Sequence, residues 1–101
     1  MDIFEQGDVL WFLEPIPKDK YDKLETQIIM HGEGGHAHRL DTEEFEHLIN
    51  PKTKERYLRL LKPTKVKHEE HNPITLPPGE YRIGRVREKG MFDDLIAPVV
   101  D

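Results

Sequence analysis

Two short histidine clusters are the residues best suited to chemistry in this 101-residue chain. The first is Gly35-His36-Ala37-His38-Arg39, and the second is His68-Glu69-Glu70-His71. On an extended strand, residues two apart project from the same face, so His36 and His38 would direct both imidazoles to one place. We predict that the two clusters meet in one site, where their imidazoles bind a metal ion or transfer protons.

A divalent metal is the leading interpretation of these histidines. The chain has no cysteine, so imidazole and carboxylate groups must hold any metal. His36 and His38 would be two ligands, His68 or His71 would join them, and Glu70 would be a further ligand or a hydrogen-bonding neighbour. The ion would be zinc, iron, nickel or manganese, with either a hydrolytic or a structural role. The choice between His68 and His71 depends on a turn that the sequence does not place.

The same four histidines also fit a metal-free alternative, a phosphodiesterase or ribonuclease that acts on RNA or a small nucleotide. One imidazole would be the general base and another the general acid. Arg39 and Arg85 would bind the phosphate, because a guanidinium offers two parallel donors to its oxygens. Under this interpretation His36, His38, His68 and His71 are catalytic residues and no metal is needed.

A third interpretation is a non-enzymatic interaction module. Exposed histidines can simply decorate a polar surface or cap turns, and they can also form two separate groups. The segment 91–101 contains apolar residues that would pack back on the domain or dock a partner, including a second copy of the chain. His31 and His47 are isolated in the sequence, and we expect them to have structural or surface roles.

The composition limits the classes of protein to consider. A formal net charge of −5 disfavours a general nucleic-acid binder, although it leaves room for a local basic groove. With 36% hydrophobic and 35% charged residues, the core must be thin. No apolar run approaches the length of a membrane span, and the first residues do not resemble a signal peptide. We therefore expect a soluble, cytoplasmic protein with no membrane contact.

Short strands are predicted to position the histidines. Apolar clusters bounded by proline and glycine turns indicate strands, whose approximate ranges are 9–13, 26–30, 36–40, 56–61, 65–69 and 81–87. The segment 41–49 is predicted to be a strand or a single helical turn. Residues 1–101 are then one small all-β domain with at most one short helix. Many short strands with such turns are typical of a small antiparallel β-barrel or sandwich.

Glycines mark two special backbone positions. Those at 32, 34 and 35 are expected to permit a tight turn or a close approach to the histidines, since the loop lacks the Lys-Ser/Thr ending of a phosphate-binding loop. In the last strand, alternation alone would put Ile83 and Val86 on opposite faces. A bulge at Gly84 would restore them to one face and leave Arg85 outside.

The order of four motifs resembles a family of small, uncharacterised bacterial and phage proteins. The motifs are Gln6-Gly7-Asp8-Val9, Gly35-His36-Ala37-His38-Arg39, His68-Glu69-Glu70-His71 and Leu76-Pro77-Pro78-Gly79-Glu80-Tyr81. This likeness covers most of the chain and implies no particular activity. The Gly-His-x-His stretch and the Pro-Pro-Gly-Glu turn are also similar to parts of the two cupin motifs, which implies a β-rich metal-binding domain by analogy. The sequence departs from cupins after His38, where no glutamate follows at the cupin spacing, and at Arg82, near the expected second-motif histidine.

Overall fold

The computed structural model describes residues 2–31 and 35–85, which form ten strands in two antiparallel sheets. We number the strands along the chain. In spatial order, the large sheet contains β1 (Asp2–Gln6), β2 (Val9–Leu13), β10 (Gly79–Arg85), β7 (Arg56–Leu60), β6 (Phe45–Ile49) and β3 (Asp22–Lys23). The small sheet contains β4 (Ile28–His31), β5 (Ala37–Leu40), β8 (Thr64–Lys67) and β9 (Ile74–Leu76).

The all-β prediction is confirmed for the described part of the chain. The two sheets do not close into a barrel, and their arrangement is consistent with a sandwich. The segment 41–49 contains strand β6 and no helical turn. No helix long and apolar enough to span a membrane occurs in residues 2–31 or 35–85.

The core lies between the two sheets. Apolar side chains on one face of the large sheet, including those of Trp11, Leu58 and Tyr81, pack with Ile29 and Leu40 of the small sheet in a single buried cluster. Cross-strand partners share a face, so this inner face of the large sheet continues from strand to strand. Each fully buried side chain of this kind contributes about 1.5–3 kcal/mol to stability. Burial of these residues is what holds the two sheets against each other.

A two-residue turn at Gly7 and Asp8 joins β1 to β2. Gln6 and Val9 are cross-strand partners, and Gly7 has a φ of 58°, in the left-handed region where glycine is favoured. Strand β1 was not predicted from the sequence. The turn pairs it with β2 and places Gln6 on the inner face, beside Val9, at one end of the sandwich.

The predicted bulge at Gly84 is wrong. The register between β10 and β2 runs unbroken from Tyr81 opposite Leu13 to Arg85 opposite Val9. Arg85 therefore has the same orientation as Ile83, towards the inner face rather than the outer one. The physical reason is that Gly84 pairs as an ordinary strand residue, so the alternation of faces continues to the end of β10.

Several predicted features lie outside the described residues. They are the segment 91–101, the end of the last predicted strand at Val86 and Arg87, and the glycines at 32 and 34. Gly35 is described, and its φ of 80° is a backbone conformation that glycine favours. No heavy atom lies within 4 Å of the position that a Cβ at Gly35 would occupy. Gly35 thus serves the turn before β5 and not a close approach to the histidines.

Candidate histidine site

The structure brings four imidazoles into one cluster, which we call the histidine cluster: His36, His38, His68 and His71. The ring centroids are 4.4 Å apart for His38 and His68, 4.6 Å for His68 and His71, 5.7 Å for His36 and His68, and 6.1 Å for His38 and His71. Strand pairing explains this convergence. Arg39 on β5 is opposite Lys67 on β8, so the next position of this antiparallel register brings His38 beside His68.

Gln6 determines which nitrogen of His38 carries the proton. The Gln6 side-chain amide donates from Nε2 to the backbone carbonyls of Val66 and Asn72, each at 2.9 Å. Both amide hydrogens are thereby used, so Gln6 Oε1 faces His38 Nδ1 at 2.9 Å as an acceptor. His38 Nδ1 must therefore be the donor, and in the neutral ring Nε2 keeps a free lone pair.

His38 is the most deeply buried member of the cluster and is neutral at pH 7. Its residue is 1% exposed, and the indole of Trp11 contacts the ring edge-on at 6.4 Å between centroids. Burial is the main reason why the pKa of His38 falls from 6.5 to about 4, and the charge of His68 adds to this effect. The Asp8 carboxylate, with Oδ1 3.5 Å from His38 Nε2, opposes the shift. The lone pair of Nε2 thus faces an anionic group.

The two adjacent glutamates of the loop after β8 contact His68, His36 and the backbone of Ala37. The backbone N–H of Glu70 donates to His68 Nδ1 at 3.0 Å, so neutral His68 carries its proton on Nε2. Glu70 Oε1 lies 2.5 Å from His36 Nδ1, but the angles at these atoms do not fit a hydrogen bond. The Nδ1 atom of His36 is shielded from solvent and has no hydrogen-bond partner among the described residues. Glu69 accepts the backbone N–H of Ala37 at 2.9 Å, and this bond is the main cause of its lowered pKa.

Gly7 allows the β1–β2 turn to pack directly on the cluster. A Cβ at Gly7 would lie 2.6 Å from His71 Nε2 and 3.2 Å from His38 Cε1. The first distance is too short for any side chain, so a larger residue would displace His71. The rings of His38 and His71 are nearly parallel, with 13° between their planes. Gly7 therefore has two roles, a left-handed turn and a close backbone approach.

The cluster is not arranged as a metal-ligand set. In residues 2–31 and 35–85, no three histidine, aspartate or glutamate side chains are placed so as to hold a metal ion. His38 Nδ1 is engaged by Gln6, and His68 Nδ1 by the Glu70 backbone. The rings meet by their faces and edges, and side-chain rotation is needed before their free nitrogens can share one ligand.

The two predicted phosphate-binding arginines lie in different places. Arg39 and Lys67 line a cavity of about 230 Å³ together with His68, which also contacts the cluster. Arg85 lines other cavities, whose walls contain none of the four cluster histidines. Gln6, Val9 and Arg85 occupy one cross-strand row, so Arg85 is about 10 Å from Gln6 by strand spacing.

Sequence reasoning missed Gln6 and Asp8 as members of the site. The available signal was the Gly7-Asp8 pair, which lies between two runs that contain apolar residues and is typical of a two-residue hairpin turn. That hairpin would have placed Gln6 on the same face as Phe4, where a polar residue must find partners. Its contact with His38 depends on the second sheet, and the sequence carries no signal for it.

Comparison with known proteins identifies a family. No curated protein and no solved structure matches the chain. A family model described as a domain of unknown function, DUF8820, matches residues 5–86. This range includes Gln6, Asp8 and all four members of the histidine cluster. Because the match covers most of the sequence, the chain belongs to the DUF8820 family of domains of unknown function.

Proposed function

We propose that this domain binds a divalent transition metal at the histidine cluster. The observation that carries the proposal is the state of His38: its ring is neutral, Gln6 holds its Nδ1–H, and its Nε2 lone pair faces Asp8. Histidines that ligate metals typically donate their other N–H to an oxygen acceptor in this way. His38 is therefore the proposed anchoring ligand, and a metal would act there either as a hydrolytic centre or as a structural one.

The spacing of the imidazoles also supports metal binding. Two imidazoles bound to one zinc ion at about 2.0 Å in tetrahedral geometry have ring centroids about 5 Å apart. The observed separations of 4.4–6.1 Å bracket that value. Rotation of His71 and His36, which are both partly exposed, would bring their nitrogens towards His38 Nε2. Asp8 and Glu70 supply negative charge beside the cluster, and the partial likeness to cupins adds support by analogy alone.

Protein purified without a histidine tag is expected to contain close to one equivalent of zinc, iron, nickel or manganese. Adding zinc to the stripped protein should raise its melting temperature, because a ligand at a hundred times its Kd stabilises the folded state by about 2.7 kcal/mol. Elemental mass spectrometry and thermal unfolding with and without chelator measure these two quantities.

Matched variants separate metal binding from general damage to the fold. His36→Ala and His71→Ala remove partly exposed rings and should fold, yet each should lose most of the bound metal and of the zinc-induced stabilisation. His31→Ala removes an exposed histidine outside the cluster and should behave as the wild type. A wild-type protein that contains no metal and gains no stability from any of the four ions would refute the proposal.

A second candidate function is metal-free cleavage of phosphodiesters. It is favoured by one observation: His68 contacts neutral His38 and also lines the cavity that contains Arg39 and Lys67. One imidazole would take the proton of the attacking hydroxyl, and another would give a proton to the leaving oxygen. The guanidinium of Arg39 would bind the phosphate between them. Glu69 in the same wall and the ion pair of Lys67 with Asp41 at 3.2 Å reduce the positive charge there.

Short RNA and cyclic nucleotides are the substrates that test this second function. We expect cleavage to persist in excess chelator. The rate should fall at least a hundredfold in His68→Ala, because general acid–base catalysis contributes a factor of about 10²–10⁴. The rate should fall less in Arg39→Gln. His31→Ala should retain full activity. Absence of cleavage, or cleavage that chelator abolishes, would rule out the metal-free mechanism.

A further inference from the structure

A second polar group lies in the large sheet, around buried His47. This residue is 1% exposed and is opposite Leu58 on the inner face of the sheet. Its Nε2 is 3.4 Å from Arg56 Nη1, and its Nδ1 is 3.3 Å from the Thr26 carbonyl. A guanidinium can only donate, so Nε2 accepts and Nδ1 carries the ring proton. His47 thus holds the Arg56 guanidinium in a defined orientation.

Arg56 and Arg85 are both oriented towards the inner face at the same end of the sandwich. Arg56 is opposite Ile83 on β10, and Arg85 follows Ile83 by two residues on that strand. No carboxylate among the described residues forms an ion pair with either arginine. The contrast with Arg59 is informative, because this outward-facing arginine of β7 pairs with Glu46 and Glu80. Burial and the charge of Arg85 both lower the pKa of Arg56, which indicates that the two guanidinium groups are close enough to repel each other.

The side chains of Arg56 and Arg85 line a pair of cavities. Two adjoining cavities, of about 290 Å³ and 380 Å³, both have Met30, Arg56 and Arg85 in their walls. Sites for small molecules begin at about 300 Å³, so this space is large enough for a small ligand. Lys54 and His31 line it as well, and so does Glu55, whose carboxylate is 3.8 Å from the guanidinium of Arg82 on the neighbouring strand. Among the described residues neither arginine has an ion-pair partner, and a cavity of this size beside two guanidinium groups suits a small anion.

We infer that Arg56 and Arg85 form a binding site for the phosphate group of a small molecule. Each guanidinium can offer two parallel N–H donors to phosphate oxygens. Two fixed positive charges favour a phosphate, which carries about −1.5 to −2 at neutral pH, over a singly charged carboxylate. The site is separate from the histidine cluster and does not depend on metal binding there.

Titration with inorganic phosphate and then with adenosine monophosphate tests this site. The buffer contains a chelator, and chloride keeps the ionic strength constant. Both ligands should bind, and the NMR signals of the Arg56 and Arg85 Nε–H groups should shift. Arg85→Gln removes an exposed side chain, so it should fold normally and weaken the affinity for phosphate at least about tenfold. Arg56→Lys keeps the charge but loses the paired donors, so its affinity should also fall.

The matched control is Lys65→Gln, which removes an exposed cation of β8 that lies in the walls of neither cavity. This variant should bind phosphate as tightly as the wild type. The inference is overturned if millimolar phosphate does not bind, or if Arg85→Gln and Arg56→Lys both bind it with unchanged affinity. A loss of affinity in Arg39→Gln as large as that in Arg85→Gln would also overturn the inference, since phosphate would then bind beside the histidine cluster.

Discussion

Gln6→Leu is expected to lower the free energy of unfolding by about 3 kcal/mol or more, a large part of the stability of a domain of this size. Leucine fills a similar volume but leaves two buried groups without their partner, the Val66 carbonyl and the Nδ1–H of His38, and it also loses the part-buried bond to the Asn72 carbonyl. Each unpaired buried group costs about 1–3 kcal/mol. Urea denaturation at pH 7.5 measures the loss directly.

Gln27→Leu is the matched control for this prediction. Gln27 also bridges two backbone carbonyls, those of Leu40 at 3.3 Å and Thr42 at 2.7 Å, but it is only partly buried and has no hydrogen bond to a histidine among the described residues. Water can reach the carbonyls that this variant leaves unpaired, so its loss of stability should be no more than about 1 kcal/mol. Similar losses for Gln6→Leu and Gln27→Leu would contradict the special role that we assign to the buried Gln6 network.

Acidification from pH 6.5 to pH 4 is expected to destabilise the metal-free protein through His38. Folding lowers the pKa of this residue from 6.5 to about 4, so between these values the unfolded chain binds a proton that the folded one does not. The stabilisation is complete above pH 6.5 and decreases as the pH falls. For this residue alone the loss is about 2 kcal/mol at pH 5 and about 3 kcal/mol at pH 4. His47, whose pKa is also lowered by burial, acts in the same direction.

Urea denaturation at several pH values, in chelator, measures this dependence. His38→Asn keeps an amide N–H that can donate to Gln6 and removes the titrating ring, so its stability should change much less between pH 6.5 and pH 5. His31→Gln, in which the replaced histidine is exposed on β4, should keep the pH dependence of the wild type. A His38→Asn profile that runs parallel to the wild type would show that His38 does not cause the acid sensitivity.

The two polar groups belong to one end of the sandwich. Gln6 and Arg85 lie in one cross-strand row with Val9 between them. Gln6 is hydrogen-bonded to His38, and Arg85 lies close to Arg56. Gln6, His38, Arg56 and Arg85 lie on strands that pack in the common core, whereas His36, His68 and His71 lie in loops next to β5 and β8. Substitutions that loosen the core near Val9 are therefore expected to affect both groups.

Local patterning in the sequence was enough to predict the all-β class and the two strands next to the histidine cluster, although β5 begins at Ala37 and β8 ends at Lys67, so His36 and His68 lie just outside them. Alternating apolar residues and proline and glycine turns act over a few residues, so a strand such as Val9–Leu13 can be read from the chain itself. The same local geometry placed His36 and His38 on one face of an extended segment. It did not distinguish a barrel from a sandwich, because closure depends on which strand edges meet.

Only the tertiary structure decided which groups meet and in which protonation state. The neutral ring of His38 depends on burial between the sheets and on Gln6, 32 positions away in the chain. The pairing of His47 with Arg56, and the proximity of Arg56 to Arg85, likewise depend on strand register and long-range packing. A sequence specifies residue types and local periodicity, whereas pKa values, tautomers and unpaired charges arise from neighbours that folding brings from distant segments.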